Sequence, residues 1–184
     1  ANQGDVMLGA AILNRDSKWA DQLNLQESEW LVPPYRADLE RLAAEIGDYE
    51  AVVDAINSNA LQLAAFLRKH PAVKEVFTPY SGEVGKNYRA IERRPNSPGA
   101  MISITIKKPI AEFYDRIEVP KGPSFGALFT LLCPFLYLAH YDLVTTEAGR
   151  QKLAESGIDP ELIRISVGTE NSDAIISAFN NALG

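Results

Sequence analysis

Arg164 is the side chain whose type and setting point most directly to chemistry. It sits in the run Leu162-Ile163-Arg164-Ile165-Ser166-Val167-Gly168-Thr169-Glu170. Ile163, Ile165 and Val167 fall on one face while Leu162, Arg164 and Ser166 fall on the other, the period-two mark of a half-buried strand. A guanidinium in mid-strand is costly to bury unless an anion meets it. Its planar fork grips a carboxylate through two parallel hydrogen bonds. That anion can be a neighbouring Asp or Glu in a structural ion pair, or the carboxylate of a ligand; the run alone leaves both open. Ser124, between Pro123 and Gly126, reads by itself as a turn hydroxyl. Cys133 has no base at a fixed spacing, and His70 stands near a helix end, so both read as packing or end residues, as does His140. With two histidines and one cysteine, no usual zinc cluster is expected unless carboxylates complete it.

A strand that presents Arg164 needs partners, and the chain offers a good one. Over Ala100 to Lys107, Ile102, Ile104 and Ile106 face one way and Met101, Ser103 and Thr105 the other. Two strands with aliphatic residues on one face and polar residues on the other imply a small antiparallel sheet, helix-covered on one side and open to a polar cleft on the other. Lys74 to Thr78 reads as a further short strand. Helices are expected over 87–94, 110–116, 145–155 and 172–183, with Ser172 as the last one's cap and Ile175, Ile176 and Phe179 inward. Upstream, Pro33-Pro34 marks a boundary. A helix carrying Leu39, Leu42, Ala43 and Ile46 runs to Gly47, and Asp48 caps the next. That one runs over 49–68 with Val52, Val53, Ile56, Ala60, Leu63, Ala64 and Leu67 on one face, until His70-Pro71 ends it. Residues 5–13, an apolar run, read as a strand covered on both faces, which requires neighbours that nothing upstream supplies. The expectation is that the chain begins inside a larger domain, and that this strand pairs with another copy or frays. Ser17 is placed as the cap of a short helix over 18–25.

The fold class is therefore α/β (α+β), in three parts: 1–32 as the remnant of a larger domain, 33–72 as connecting helices, and 73–184 as a C-terminal domain. At 184 residues, 46% hydrophobic and 23% charged, the chain has the composition of a water-soluble globular protein. A net charge of −6 argues against nucleic acid or an anionic membrane as partner. The longest apolar run, 125–139, is interrupted by Pro134 and too short to span a bilayer. The lone cysteine fits a cytoplasmic location. No GxGxxG or GxxxxGK phosphate loop is present.

Several segments, taken in order, resemble the pyridoxal-phosphate-dependent Cys/Met-metabolism enzymes (cystathionine γ-synthase, the cystathionine lyases and relatives), of the aspartate-aminotransferase-like fold type I. These are Asn59-Ala60, His70-Pro71-Ala72-Val73, Pro79, Gly99-Ala100-Met101-Ile102-Ser103 and Leu162 to Glu170. Lys121-Gly122-Pro123-Ser124-Phe125-Gly126 with Phe129-Thr130-Leu131 and Cys133-Pro134 is most similar to the γ-synthase branch. The resemblance implies that Arg164 holds the α-carboxylate of an amino-acid substrate and that Ser124 sits beside the cofactor and the catalytic lysine.

Asn2 to Ala10 resembles the segment just after the family's cofactor lysine, which places that lysine upstream of Ala1. None of Lys18, Lys69, Lys74, Lys86, Lys107, Lys108, Lys121 and Lys152 stands in that motif. The resemblance thus implies a C-terminal portion with a substrate-binding half site and no catalytic residue of its own. Pyridoxal 5'-phosphate would belong to the intact enzyme and not bind this chain alone. The expected partners are the amino-acid substrate, the missing N-terminal cofactor domain and further copies in a homo-oligomer. The implied reaction is γ-replacement on an acylated homoserine by cysteine. A cystathionine lyase of the same family and a non-catalytic interaction module are the alternatives. The chain departs from the family at Pro33-Pro34-Tyr35 and Ile46-Gly47-Asp48, and at Phe129-Thr130, where γ-type members carry a Glu nearby; these sites bear on substrate choice.

Overall fold

The computed structural model describes residues 6–10, 12, 14–20 and 32–184. Helix α1 (Arg36–Glu45) passes through a single 3-10 turn (Ile46–Asp48) into the long α2 (Tyr49–Lys69), and β1 (Val73–Phe77) and α3 (Val84–Ile91) follow. After them come β2 (Met101–Ile106), α4 (Ile110–Arg116), β3 (Leu131–Cys133), α5 (Phe135–Ala139), α6 (Tyr141–Thr145), α7 (Glu147–Glu155), β4 (Ile163–Ser166) and α8 (Ser172–Leu183). The strands form one four-stranded sheet in the order β1-β2-β4-β3, antiparallel at each pairing. Alternation dictates what each face does. Ile102, Ile104, Ile163, Ile165 and Leu132 are fully buried against Leu63 and Leu67 of α2, Phe113 of α4 and Phe179 of α8. The helices on that face exclude water from the aliphatic rows, which is what stabilises the sheet.

One residue of β1 falls outside the pairing. Val73 lies opposite Ile106 and Glu75 opposite Thr105, so Lys74 is an extra residue, a β-bulge. The bulge lets Val73 and Val76, three positions apart, both join the core side. Lys74 meanwhile reaches Asp159 at 3.1 Å.

Two polar side chains of α2 tie the sheet down at its ends. Asn57 Oδ1 accepts the Gly99 N–H at 2.7 Å, just before β2. Asn59 Nδ2 donates to the carbonyls of Gly168 (3.0 Å) and Glu170 (2.7 Å), just after β4. Both asparagines are buried, and these bonds satisfy backbone groups that would otherwise be stranded.

Several expectations need correction. Residues 6–10 and 12 form no strand, and Met7 and Ile12 are 89% and 94% exposed; the rest of the 5–13 run lies outside the described residues. Among the described residues no strand borders positions 6–10 and 12, so the backbone there has no ladder to join within them. Where a helix over 18–25 was expected, residues 18–20 form a turn, with Ser17 Oγ accepting from the Trp19 N–H; residues 21–31 lie outside the description. Asp48 makes no capping bond, because the 3-10 turn carries α1 into α2 without a break. Asn171, one residue before Ser172, caps α8 by accepting from the amides of Asp173 and Ala174. Thr105, expected on the open face, is 1% exposed and its hydroxyl has no partner among the described residues. The helix expected over 87–94 runs instead over Val84–Ile91, because Glu92 is already extended.

Candidate functional site

The register of the sheet builds a row of side chains on the face away from the helices. Directly opposed residues of neighbouring strands share a face, so Ser103, Arg164 and Cys133 stand side by side, and Met101, Ser166 and Leu131 form the next row. Arg164 thus projects where alternation placed it. Its Nη2 donates to the carbonyl of Pro123, and its guanidinium lies 4.4 Å from the ring centre of Phe135 and 5.8 Å from that of Phe125. Those rings attract the cation. No carboxylate of the described residues pairs with it, so the internal ion pair left open above does not form among them. With one N–H given to Pro123, the remaining donors of the fork stay available for a carboxylate.

The loop that meets Arg164 is itself fastened. Gly122 N–H donates to Leu132 O (3.0 Å) and Leu132 N–H to Pro120 O (3.1 Å), laying the loop beside β3. Gly126, at φ +73°, donates its N–H to Ser166 Oγ at 3.1 Å. A left-handed turn at that point suits glycine, since a Cβ there is strained. Ser166, plain in the sequence, is therefore an anchor for the loop. Ser124 is exposed on the loop, one residue from the carbonyl that holds Arg164. The two expected site residues are brought together.

Behind the loop lies a closed set of bonds that the sequence did not reveal. Thr130 donates both its backbone N–H and its hydroxyl (3.0 Å) to the Glu170 carboxylate. The Thr130 hydroxyl also accepts the Gly168 N–H at 3.0 Å. Leu128 O accepts the Thr169 N–H at 2.7 Å. Gly168 must be glycine for reasons of space, since a Cβ would lie 2.4 Å from the carbonyl carbon of Phe129. Thr130 stands where the resemblance calls for a nearby Glu, and its hydroxyl and N–H both go to the Glu170 carboxylate. Only the Thr–Glu pairing across some forty positions makes these residues meaningful, and nothing local announces it.

Cys133 is paired with Arg164 across the sheet and buried. Burial pushes its thiol up, and the nearby guanidinium offsets this only in part, so it stays protonated at neutral pH and is a poor nucleophile. His140 packs edge-on against Phe135 at 6.0 Å and so supports the ring beneath Arg164. His70 Nδ1 accepts the Ala72 N–H at 3.2 Å in the turn that ends α2, a structural role.

Residues 2–184 match the family described as Cys/Met metabolism PLP-dependent enzyme. The L-2-amino-4-chloropent-4-enoate dechlorinase/desaturase of Streptantibioticus cattleyicolor is 39% identical over 97% of this chain and 36% of its own length. The cystathionine γ-synthase of Neurospora crassa is 35% identical over 97% of this chain and 28% of its own. Among solved structures, a cystathionine γ-lyase from Micromonospora echinospora superposes with a TM-score of 0.67 at 25% identity, covering 82% of this chain and 39% of that one. The chain thus spans about a third of the length of such relatives, and its sheet and helices correspond to the C-terminal domain of fold-type I enzymes. By sequence across nearly its whole length and by fold, this chain belongs to the Cys/Met metabolism PLP-dependent enzyme family.

Proposed function

We propose that this chain is the C-terminal part of an enzyme acting at the γ-carbon of an amino acid, and that Arg164 anchors the substrate α-carboxylate. The observation that carries the reading is the Arg164 guanidinium: held by Pro123 O and beside Phe135, and without a described carboxylate partner. Two parallel N–H···O bonds to a carboxylate would fix both position and orientation, so that the amino-bearing carbon is presented at one angle. Ser124, on the same loop, would sit beside the reacting end. In the intact protein residues 1–32 would belong to the cofactor-binding domain, 33–72 connect, and 73–184 form the small domain.

Pyridoxal phosphate supplies an electron sink when a lysine holds it. The described residues do not fit that task. Lys74 meets Asp159, Lys86 meets Glu83, Lys107 and Lys108 meet backbone carbonyls, and Lys121 lies over Tyr114. No described lysine bonds to Arg164 or the 123–126 loop. The cofactor-binding lysine is assigned to residues preceding Ala1, and the upstream reading frame tests this: its absence there would favour a non-catalytic module.

Two substrates suit the same anchor. The cystathionine γ-synthase likeness favours an acylated homoserine with cysteine as the incoming thiol. The relative at 39% identity favours a second reading: its name places chlorine on C4, also the γ-carbon, so loss of a γ-leaving group without replacement is the alternative. Assaying the full-length protein for cystathionine formation and, separately, for chloride release decides between them. In that protein Arg164→Ala removes charge-assisted bonds worth about 1.5–3 kcal/mol, so KM should rise on the order of 10- to 100-fold with cofactor absorbance unchanged. An unaltered KM takes Arg164 out of the site.

A further inference from the structure

A cavity of about 410 Å³ opens between α2, the turn after β1, and α3. Arg164, Pro123, Phe125 and Phe135 do not line it. Leu61 of α2 and Met101 of β2 give it its accessible apolar wall, while Ala60, Ala64 and Ile102 border it but are nearly fully buried. Arg68 of α2 and Arg89 of α3 give it two guanidinium groups, and no Asp or Glu lines it. This is unusual in a chain of net charge −6, because the arginines just next door are neutralised: Arg93 meets Glu50, and Arg94 meets Glu50 and Asp54. Arg68 instead donates to the neutral Thr78 hydroxyl at 3.1 Å, and Arg89 lies 4.1 Å from the Tyr80 ring centre. Neither forms an ion pair with a described residue.

Counting protons shows what the cavity lacks. Ser81 Oγ accepts the Thr78 N–H at 2.9 Å, and the Thr78 and Ser81 hydroxyls lie 3.3 Å apart. Their mutual bond uses one of their two protons, which leaves one to donate into the cavity. Tyr80 gives its own proton to Glu92, which lines the adjoining cavity. The open valences are donors, and the fixed charges are positive. Two guanidinium forks on different helices and a hydroxyl call for an acceptor with three or more oxygens, as a phosphate has and a carboxylate does not. The volume is that of a small-ligand site, and the apolar wall would take a short hydrocarbon body.

We propose that this cavity binds a small organic phosphate, its phosphate group between Arg68 and Arg89 and its apolar part against Leu61 and Met101. Isothermal titration of the full-length protein with phenyl phosphate, phenylacetate and inorganic phosphate tests it. Phenyl phosphate should bind saturably, at least tenfold tighter than either of the other probes. Its Kd should rise at least tenfold in Arg68→Gln and in Arg89→Gln and stay unchanged in Arg164→Ala. Both cavity arginines are exposed, so the variants should keep the parent melting temperature while losing the upward shift that phenyl phosphate gives. Absence of saturable heat at millimolar probe, or equal binding in the Gln variants, overturns the site. Phenylacetate binding as tightly as phenyl phosphate overturns the phosphate assignment, and parity of inorganic phosphate overturns the role of the apolar wall.

Discussion

A cationic side chain on the open face of a sheet needs no counter-ion while water reaches it, but something must hold it still if it is to orient a ligand. For Arg164 that is a carbonyl and an aromatic plane, neither of which cancels its charge. The position was readable from alternation because strand periodicity is local: Ile163 and Ile165 had to face the core, so Arg164 had to face away. Phe135 was not readable, since its contact depends on where β3 lies beside β4. At the same scale Tyr80 makes a pH prediction. Burial first, and then its bond to Glu92, push its phenol up from 10.0 to about 12. Between those values the unfolded chain has released the proton that the folded chain keeps, so stability should fall as pH rises from about 10 towards 12. Urea midpoints across that range should show the loss in the parent and a flatter profile in Tyr80→Phe.

At the scale of elements, the bonds joining Thr130, Gly168 and Glu170 hold the end of the loop that carries Pro123 and Ser124. Thr130→Val keeps the volume but removes a donor to a half-buried carboxylate and the acceptor for Gly168 N–H. About 2–3 kcal/mol of stability should be lost, read as a lower urea midpoint. Thr130→Ser, which keeps the hydroxyl, should recover most of it. Long, strongly periodic elements were legible: α2, β2 and α8 lie close to where apolar spacing set them. Strand β3 was missed because Leu131–Cys133 is too short for a period to show. The caps at Asp48 and Ser172 failed for another reason. Adjacent polar residues compete for one role, and only the backbone path selects Asn171 over Ser172 or dispenses with a cap altogether.

For the whole molecule, the proposal that no lysine of this chain holds the cofactor leads to one expectation. The 184-residue chain mixed with pyridoxal phosphate should develop no lysine-dependent visible absorption band and no turnover. A band abolished by replacing one of its lysines would overturn this. Helix α1 buries none of its residues, and Leu39, Leu42 and Ile46 with Tyr35 and Tyr49 remain exposed along it and its junctions. Among the described residues no helix is long and apolar enough to cross a membrane. Finally, the unpaired Lys74 of β1 sets the phase between the long helix and the sheet. Deleting that one amino acid would turn Val73 outward or drag the end of α2 half a pleat along its neighbour. Length at this point, more than residue identity, is what a natural or engineered variant would have to preserve.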